Sequence, residues 1–207
     1  MTQAQAHPLA LCSSNEALAR LKAGNARFLA GQARFPTVQK DILSDLAKGQ
    51  HPFATILGCC DSRVPPELVF DASFGELFVI RVAGNVIDAA VAGSLQYAWV
   101  HLGTPLLVVL GHDNCGAVEA AIAEKFRGVQ HPNRIDVLVD DIEPALDNVD
   151  PTLPPDALLD AAVEANVRRT LRRIVDSPEW ATHSAGVDRQ AVGAVYELAT
   201  GVVRFLS

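Results

Sequence analysis

Pro105-Leu106-Leu107-Val108-Val109-Leu110-Gly111-His112-Asp113-Asn114-Cys115 is the stretch whose reading decides the fold. Its first six residues are apolar and do not alternate with polar ones. A strand of that kind is buried on both faces, which places it inside a parallel sheet covered on both sides. Working outward, Phe53-Ala54-Thr55-Ile56-Leu57-Gly58 reads the same way and ends at Cys59. A third run, Leu77 to Ala83, follows a turn at Gly75. Between this run and Pro105 lies Asp88 to Leu102, which carries Val91, Leu95, Ala98, Trp99 and Leu102 at helical spacing. Strand, helix and strand in succession are βαβ grammar. The expected fold class is α/β, a mostly parallel central sheet flanked by helices.

The remaining segments extend that plan. Leu18, Leu21, Phe28 and Leu29 predict a helix over Asn15–Ala30, capped by Ser13 or Ser14 and ended by Gly31. A short helix over Lys40–Lys48 stops at Gly49, another runs from near Cys115 to about Phe126, and Pro132 to Asn148 holds a further helical segment. Three prolines mark 148–155 as a loop. A long helix over Asp156–Asp176 sets Arg168, Arg169, Arg172 and Arg173 on its outer, solvated or subunit-facing side. Two short C-terminal strands, Val192–Leu198 and Val202–Leu206, close the chain.

With 207 residues and no linker long enough to divide them, residues 1–207 form one expected domain with a core of its own. The net charge of −7 argues against a nucleic-acid partner, which selects a basic patch. No apolar run approaches the roughly 20 residues that span a bilayer, and 1–11 has neither the basic nor the apolar region of a signal peptide. The expected setting is cytoplasmic, without membrane attachment. The four cysteines then read as reduced thiols rather than disulfide staples.

Two motifs carry the chemistry, Cys59-Cys60-Asp61-Ser62-Arg63 and His112-Asp113-Asn114-Cys115. Cys59 and His112 are both placed just past strand ends, where open α/β sheets bind ligands. Cys115 falls at the start of a helix, whose dipole favours a thiolate. Two thiolates and one imidazole suffice for a zinc ion that keeps a fourth position open. Asp61 and Arg63 add an acid and a guanidinium that can hold it through two hydrogen bonds. Pure metal binding needs neither.

These motifs, together with Gly58, Val64-Pro65, Arg81-Val82-Ala83-Gly84-Asn85 and Gly111 to Ala117, resemble those of the β-class carbonic anhydrases. Asn25-Ala26-Arg27-Phe28 and 192–206 are similar as well. The resemblance implies reversible hydration of carbon dioxide to bicarbonate and a proton. It implies one zinc per subunit on Cys59, His112 and Cys115, and a catalytic dyad of Asp61 and Arg63. It further implies Gln50 reaching the substrate from a neighbouring subunit, and Phe78, Ala83 and Tyr97 lining the carbon dioxide pocket. The family builds homodimers, often paired into tetramers, in which helices such as the 1–35 arm embrace the partner. Ile56 replaces the tryptophan of the bicarbonate-inhibited members, so their allosteric site is not expected.

By this reading zinc supplies hydroxide near neutral pH, and Asp61 orients it. Two thiolates cancel the ion's charge, so activity should rise on the alkaline side. If Asp61 leaves Arg63 it becomes the fourth ligand and closes the site. Cys60, pointing away from Cys59, is expected as a small buried hydrophobe. His101, four residues after Tyr97, is a candidate proton shuttle weighed against an ordinary solvated histidine. The alternatives are hydrolysis of a related cumulated substrate such as carbon disulfide and non-catalytic binding of zinc or bicarbonate. A nucleotide-binding domain lacks its glycine-rich loop.

Overall fold

A computed structural model describes residues 12–34, 40–131 and 134–206. Residues 1–11 and 35 of the expected arm lie outside the described residues. The elements are α1 (Ser14–Leu29), α2 (Lys40–Leu46), β1 (Ala54–Gly58), α3 (Pro66–Val69), β2 (Leu77–Arg81), α4 (Ala89–Val100), β3 (Leu106–His112), α5 (Gly116–Arg127), α6 (Ile135–Ile142), α7 (Pro155–Val175), α8 (Pro178–Ser184), β4 (Gln190–Tyr196) and β5 (Val203–Phe205). Short 3₁₀ turns occupy Ala83–Asn85 and Glu143–Asn148. The strands form one five-stranded sheet in the order β2-β1-β3-β4-β5. The first four run parallel, and β5 returns antiparallel to β4 through Ala194↔Phe205 and Tyr196↔Val203.

Period-two alternation divides the strand residues between two covered faces. Ile56, Val108 and Leu110 join Leu21, Val69 and Phe70 under α1 and α3. Leu57, Leu107 and Val109 join Leu95, Val118, Ile122, Val163 and Val167 under α4, α5 and α7. Every residue of β1 and β3 is buried, including Thr55, whose hydroxyl pairs with that of Thr104 at 2.8 Å. The third run departs from that expectation: β2 lies at the sheet edge and its residues are only partly covered. An apolar run is also what an edge strand shows when one side lacks a neighbour.

Ser13 caps α1 through a reciprocal capping box with Glu16. The buried stripe of α1 holds Ala17, Leu21, Gly24 and Asn25, while Leu29 is exposed. Gly24 touches the end of α3 so closely that a Cβ there would lie 1.8 Å from the Phe70 carbonyl oxygen. Asn25 donates to the carbonyls of Val69 (3.1 Å) and Gly201 (2.9 Å) and accepts from the Val203 amide (3.0 Å). This side chain therefore joins α1 to α3 and to the β4–β5 pair. Beneath α1, the Asp71 carboxylate accepts from Arg27 Nε (2.5 Å), the Arg34 amide (2.7 Å) and Arg34 Nε (3.1 Å).

Of the four arginines expected on the outer side of α7, Arg172 and Arg173 are exposed and Arg168 and Arg169 half-buried, and two of them bind neighbouring elements. Arg169 donates to the Asp141 carbonyl at 2.7 Å, and Arg173 binds the Asp141 carboxylate and the Ile87 carbonyl. They pin α6 and the segment before α4, and are not a purely solvated face.

Candidate metal centre

The parallel pairing of β1 with β3 aligns Gly58 with Leu110, so the two motifs emerge side by side at the carboxyl end of the sheet. Cys59 is the first residue after β1. His112 is not past its strand end, as expected, but is the last residue of β3, paired with Tyr196. The ladder thus extends two residues beyond the apolar run and fixes the imidazole backbone. Asn114 then takes a left-handed conformation (φ 50°), which asparagine tolerates better than most residues. That turn brings Cys115 back to the start of α5.

Cys59 Sγ, a ring nitrogen of His112 and Cys115 Sγ lie within 4.8 Å of one another, all three residues buried. His112 Nδ1 is 2.7 Å from the Asp113 carbonyl, so it carries the proton and leaves Nε2 with a free lone pair. Nε2 is buried and has no hydrogen-bond partner among the described residues. A buried acceptor without a partner is costly, and a metal ion satisfies it. The donor set of two sulfurs and one imidazole nitrogen fits a Cys-His-Cys metal site.

The two sulfurs lie within 4.8 Å of each other. Hydrogen bonding from Cys115 holds the Cys59 thiol down to about 4 against the opposing effect of burial, and the Gly84 amide (N to Sγ 3.4 Å) adds to that. Cys115 is pushed up by the same bond and by burial, while the Ala117 and Val118 amides pull it down. Metal binding at such thiols requires their deprotonation.

Arg63 grips Asp61 with two parallel hydrogen bonds, Nε to Oδ1 at 2.9 Å and Nη2 to Oδ2 at 2.7 Å, and its backbone amide adds a third at 2.9 Å. The side-chain bonds from Arg63 hold the Asp61 carboxyl well below the usual carboxylate range, against partial burial. Asp61 Oδ2 lies 3.8 Å from His112 Nε2, beside the converging donor atoms but not among them. Arg63 Nη2 also reaches the Asn114 carbonyl at 3.2 Å, joining the two motifs.

Phe78 and Tyr97 stack with ring centroids 6.0 Å apart, Ala83 is half-buried in its 3₁₀ turn, and Tyr97 is exposed. His101 is exposed with its ring 4.9 Å from that of Tyr97. Gln50 is exposed on the segment before β1. Cys60 is also exposed, contrary to the expectation of a buried thiol. It follows the strand end, where the chain has left the pleated sheet and alternation no longer points it inward.

Sequence reasoning gave Arg81 no chemistry. Its guanidinium donates to the Cys59 carbonyl (Nε, 3.0 Å) and to the Asp61 carbonyl (Nη2, 2.6 Å). The available signal was a charge closing an otherwise apolar strand, at the register position opposite Gly58.

Residues 54–203 match the family model described as Carbonic anhydrase. The chain belongs to the β-class carbonic anhydrase family. Within it, the chain is 55% identical over 103 residues to Carbonic anhydrase 2 of Mycobacterium tuberculosis, an alignment covering 50% of each chain. It is 44% identical over 126 residues to a carbonic anhydrase of Mycolicibacterium smegmatis, covering 61% of each. These matches span about half to three-fifths of the relatives' length. The solved β-carbonic anhydrase CafA of Aspergillus fumigatus superposes with a TM-score of 0.74 at 25% identity, covering 93% of this chain and 90% of that one. No helix among the described residues is long and apolar enough to cross a membrane.

Proposed function

We propose that this chain is a zinc-dependent carbonic anhydrase that interconverts carbon dioxide and bicarbonate. The observation that carries this reading is a carboxylate, gripped by a bidentate arginine, 3.8 Å from the unpartnered nitrogen of a buried Cys-His-Cys cluster. Cys59, His112 and Cys115 would hold the ion. A zinc ion bound there lowers the pKa of water and supplies a nucleophile near neutral pH.

The protein's own groups then do the orienting. Asp61, kept ionised and off the metal by Arg63, accepts a hydrogen bond from the attacking oxygen and aims its lone pair at carbon dioxide. Phe78, Ala83 and Tyr97 offer an apolar wall suited to a small nonpolar gas. Gln50, contributed by a second copy of the chain, donates its amide to the developing bicarbonate. A homodimer, with pairing of dimers into a tetramer as a further step, is supported by the incompletely covered edge strand β2 and by exposed Phe74, Tyr97 and Val100. The free cysteines suit a reducing cytoplasm.

Stopped-flow hydration of carbon dioxide across pH, on the zinc-loaded protein beside Asp61→Asn, tests the reading. The wild-type protein should turn over, and Asp61→Asn should keep its zinc while losing on the order of 100-fold in rate. A zinc-loaded wild-type chain with no hydration at any pH would overturn it.

A further inference from the structure

Asn166 lies on the buried stripe of α7 between Val163 and Val167 and is 1% exposed. An amide at such a position weakens the helix and costs free energy unless it finds partners. Its Nδ2 donates to the Gly84 carbonyl at 2.7 Å, across 82 positions of sequence. The nitrogen faces that oxygen because a carbonyl can only accept, and this is the amide's one hydrogen bond among the described residues, its Oδ1 having no partner there.

Gly84 is the residue whose own amide points at Cys59 Sγ, 3.4 Å away. It therefore receives a hydrogen bond from α7 at its oxygen and gives one to the sulfur at its nitrogen. The turn that makes this possible is an unusual one: Gly84 (φ 69°) and Asn85 (φ 44°) are both left-handed. Two such residues in succession persist only where the surroundings hold them. Packing supplies part of that hold. A Cβ on Gly84 would come within 2.6 Å of Ile142 Cδ1 and 3.2 Å of Ala117 Cβ. The directional part comes from Asn166.

We propose that Asn166 is a positioning residue of the metal centre: by holding the Gly84 carbonyl it aims the Gly84 amide at the Cys59 sulfur, and so sets how firmly that sulfur keeps the ion. The inference rests on Cys59, His112 and Cys115 being the zinc ligands. It concerns retention of metal and not carbon dioxide chemistry, so a protein that binds zinc but fails to hydrate leaves it standing. An N–H···S bond draws charge from the thiolate and orients its lone pair, and partners of this outer kind typically change metal affinity 10- to 100-fold.

Three measurements test it. In the wild-type protein loaded with cadmium-113, the Gly84 amide proton should show scalar coupling to the metal through the sulfur and should exchange slowly with solvent. In the zinc-loaded protein, Asn166→Leu removes the donor at similar size, and Asn166→Asp sets a carboxylate against the Gly84 carbonyl. Both should release zinc to excess chelator about 10- to 100-fold faster, and both should shift the sulfur-to-metal charge-transfer band of the cobalt-loaded protein. Ile174→Ala, on the same helix and also buried, controls for general loosening: it should lower Tm without speeding zinc release.

Absence of coupling together with rapid Gly84 exchange in the wild-type protein would overturn the proposal, whatever the variants do. So would a folded Asn166→Leu protein that keeps both wild-type zinc release and the wild-type band. Failure of the wild-type chain to take up zinc, cadmium or cobalt would overturn the ligand assignment and this proposal with it.

Discussion

Arg63 and Asp61 meet fork to fork, with both carboxylate oxygens taken by one guanidinium at 2.9 and 2.7 Å. The acid is thereby turned away from the donor atoms of Cys59, His112 and Cys115 while staying beside them. Asp61 is thus paired with Arg63 and is not one of the three converging donor groups.

Lysine at position 63 keeps the charge but replaces the fork with a point donor, so Arg63→Lys is not conservative here. Hydration should fall by roughly 10- to 100-fold at unchanged zinc content. A cycle with Asp61→Asn should be strongly non-additive, since either change breaks the same pair. Stopped-flow rates on the two single variants and the double variant check this, and additive losses would dissociate the residues.

Arg81 spans the carbonyls of Cys59 and Asp61 from the neighbouring strand. Arg81→Met keeps much of the stem and removes every donor. The loop then drifts, and misplacement on the ångström scale costs roughly 10- to 100-fold in kcat. KM should change far less, and Arg81→Lys should restore part of the rate. Unchanged kcat in Arg81→Met would remove Arg81 from the positioning of the dyad.

Gly24 has no space for a side chain against the Phe70 carbonyl. The obstacle is backbone, so it cannot rotate away. Gly24→Ala should lower stability by about 3 kcal/mol, near the upper end of overpacking costs, despite the better helix propensity of alanine. A chemical-denaturation midpoint equal to wild type would show that α1 can shift.

Asp71 gives a pH dependence with a definite sign. Burial raises its carboxyl, but the hydrogen bonds from Arg27 and Arg34 outweigh burial and leave it below its ordinary value. A depressed acid contributes stability that is complete above its unfolded pKa of about 3.9 and is lost as pH falls through the folded value. Asp71→Asn should therefore be less stable than the wild-type protein at neutral pH, and the gap should close in strong acid. Urea midpoints at several pH values below 5 and at 7 read the difference, and a gap between the proteins that persists unchanged into acid would contradict it.

Much of this was legible from residue order. The mainly apolar runs at 54–58 and 106–110 do form the buried centre of the sheet, because a strand covered on both faces admits a polar side chain only with a partner, as Thr55 has in Thr104. β2 carries a similar run yet lies at the edge, since apolarity alone cannot tell a second neighbouring strand from another covering surface. α3 and α8 span too few residues to show a helical period. Cys59, His112 and Cys115 were readable as a set because metal donors are chemically distinctive. Arg81 and Asn166 were not, because an arginine and an asparagine are ordinary residues until their acceptors 22 and 82 positions away are known.

Asn25 has a consequence for how the chain is made. Its amide is satisfied by Val69, 44 positions on, but also by Gly201 and Val203, 176 and 178 positions on. At ~5–20 residues per second, a ribosome delivers those last partners roughly 10–35 s after Asn25 itself. During that interval α1 can begin to settle on α3, but its innermost polar group still depends on water. The latch that fastens this helix thus waits on partners made long after it, and the growing chain must carry α1 unlocked until the β4–β5 pair arrives.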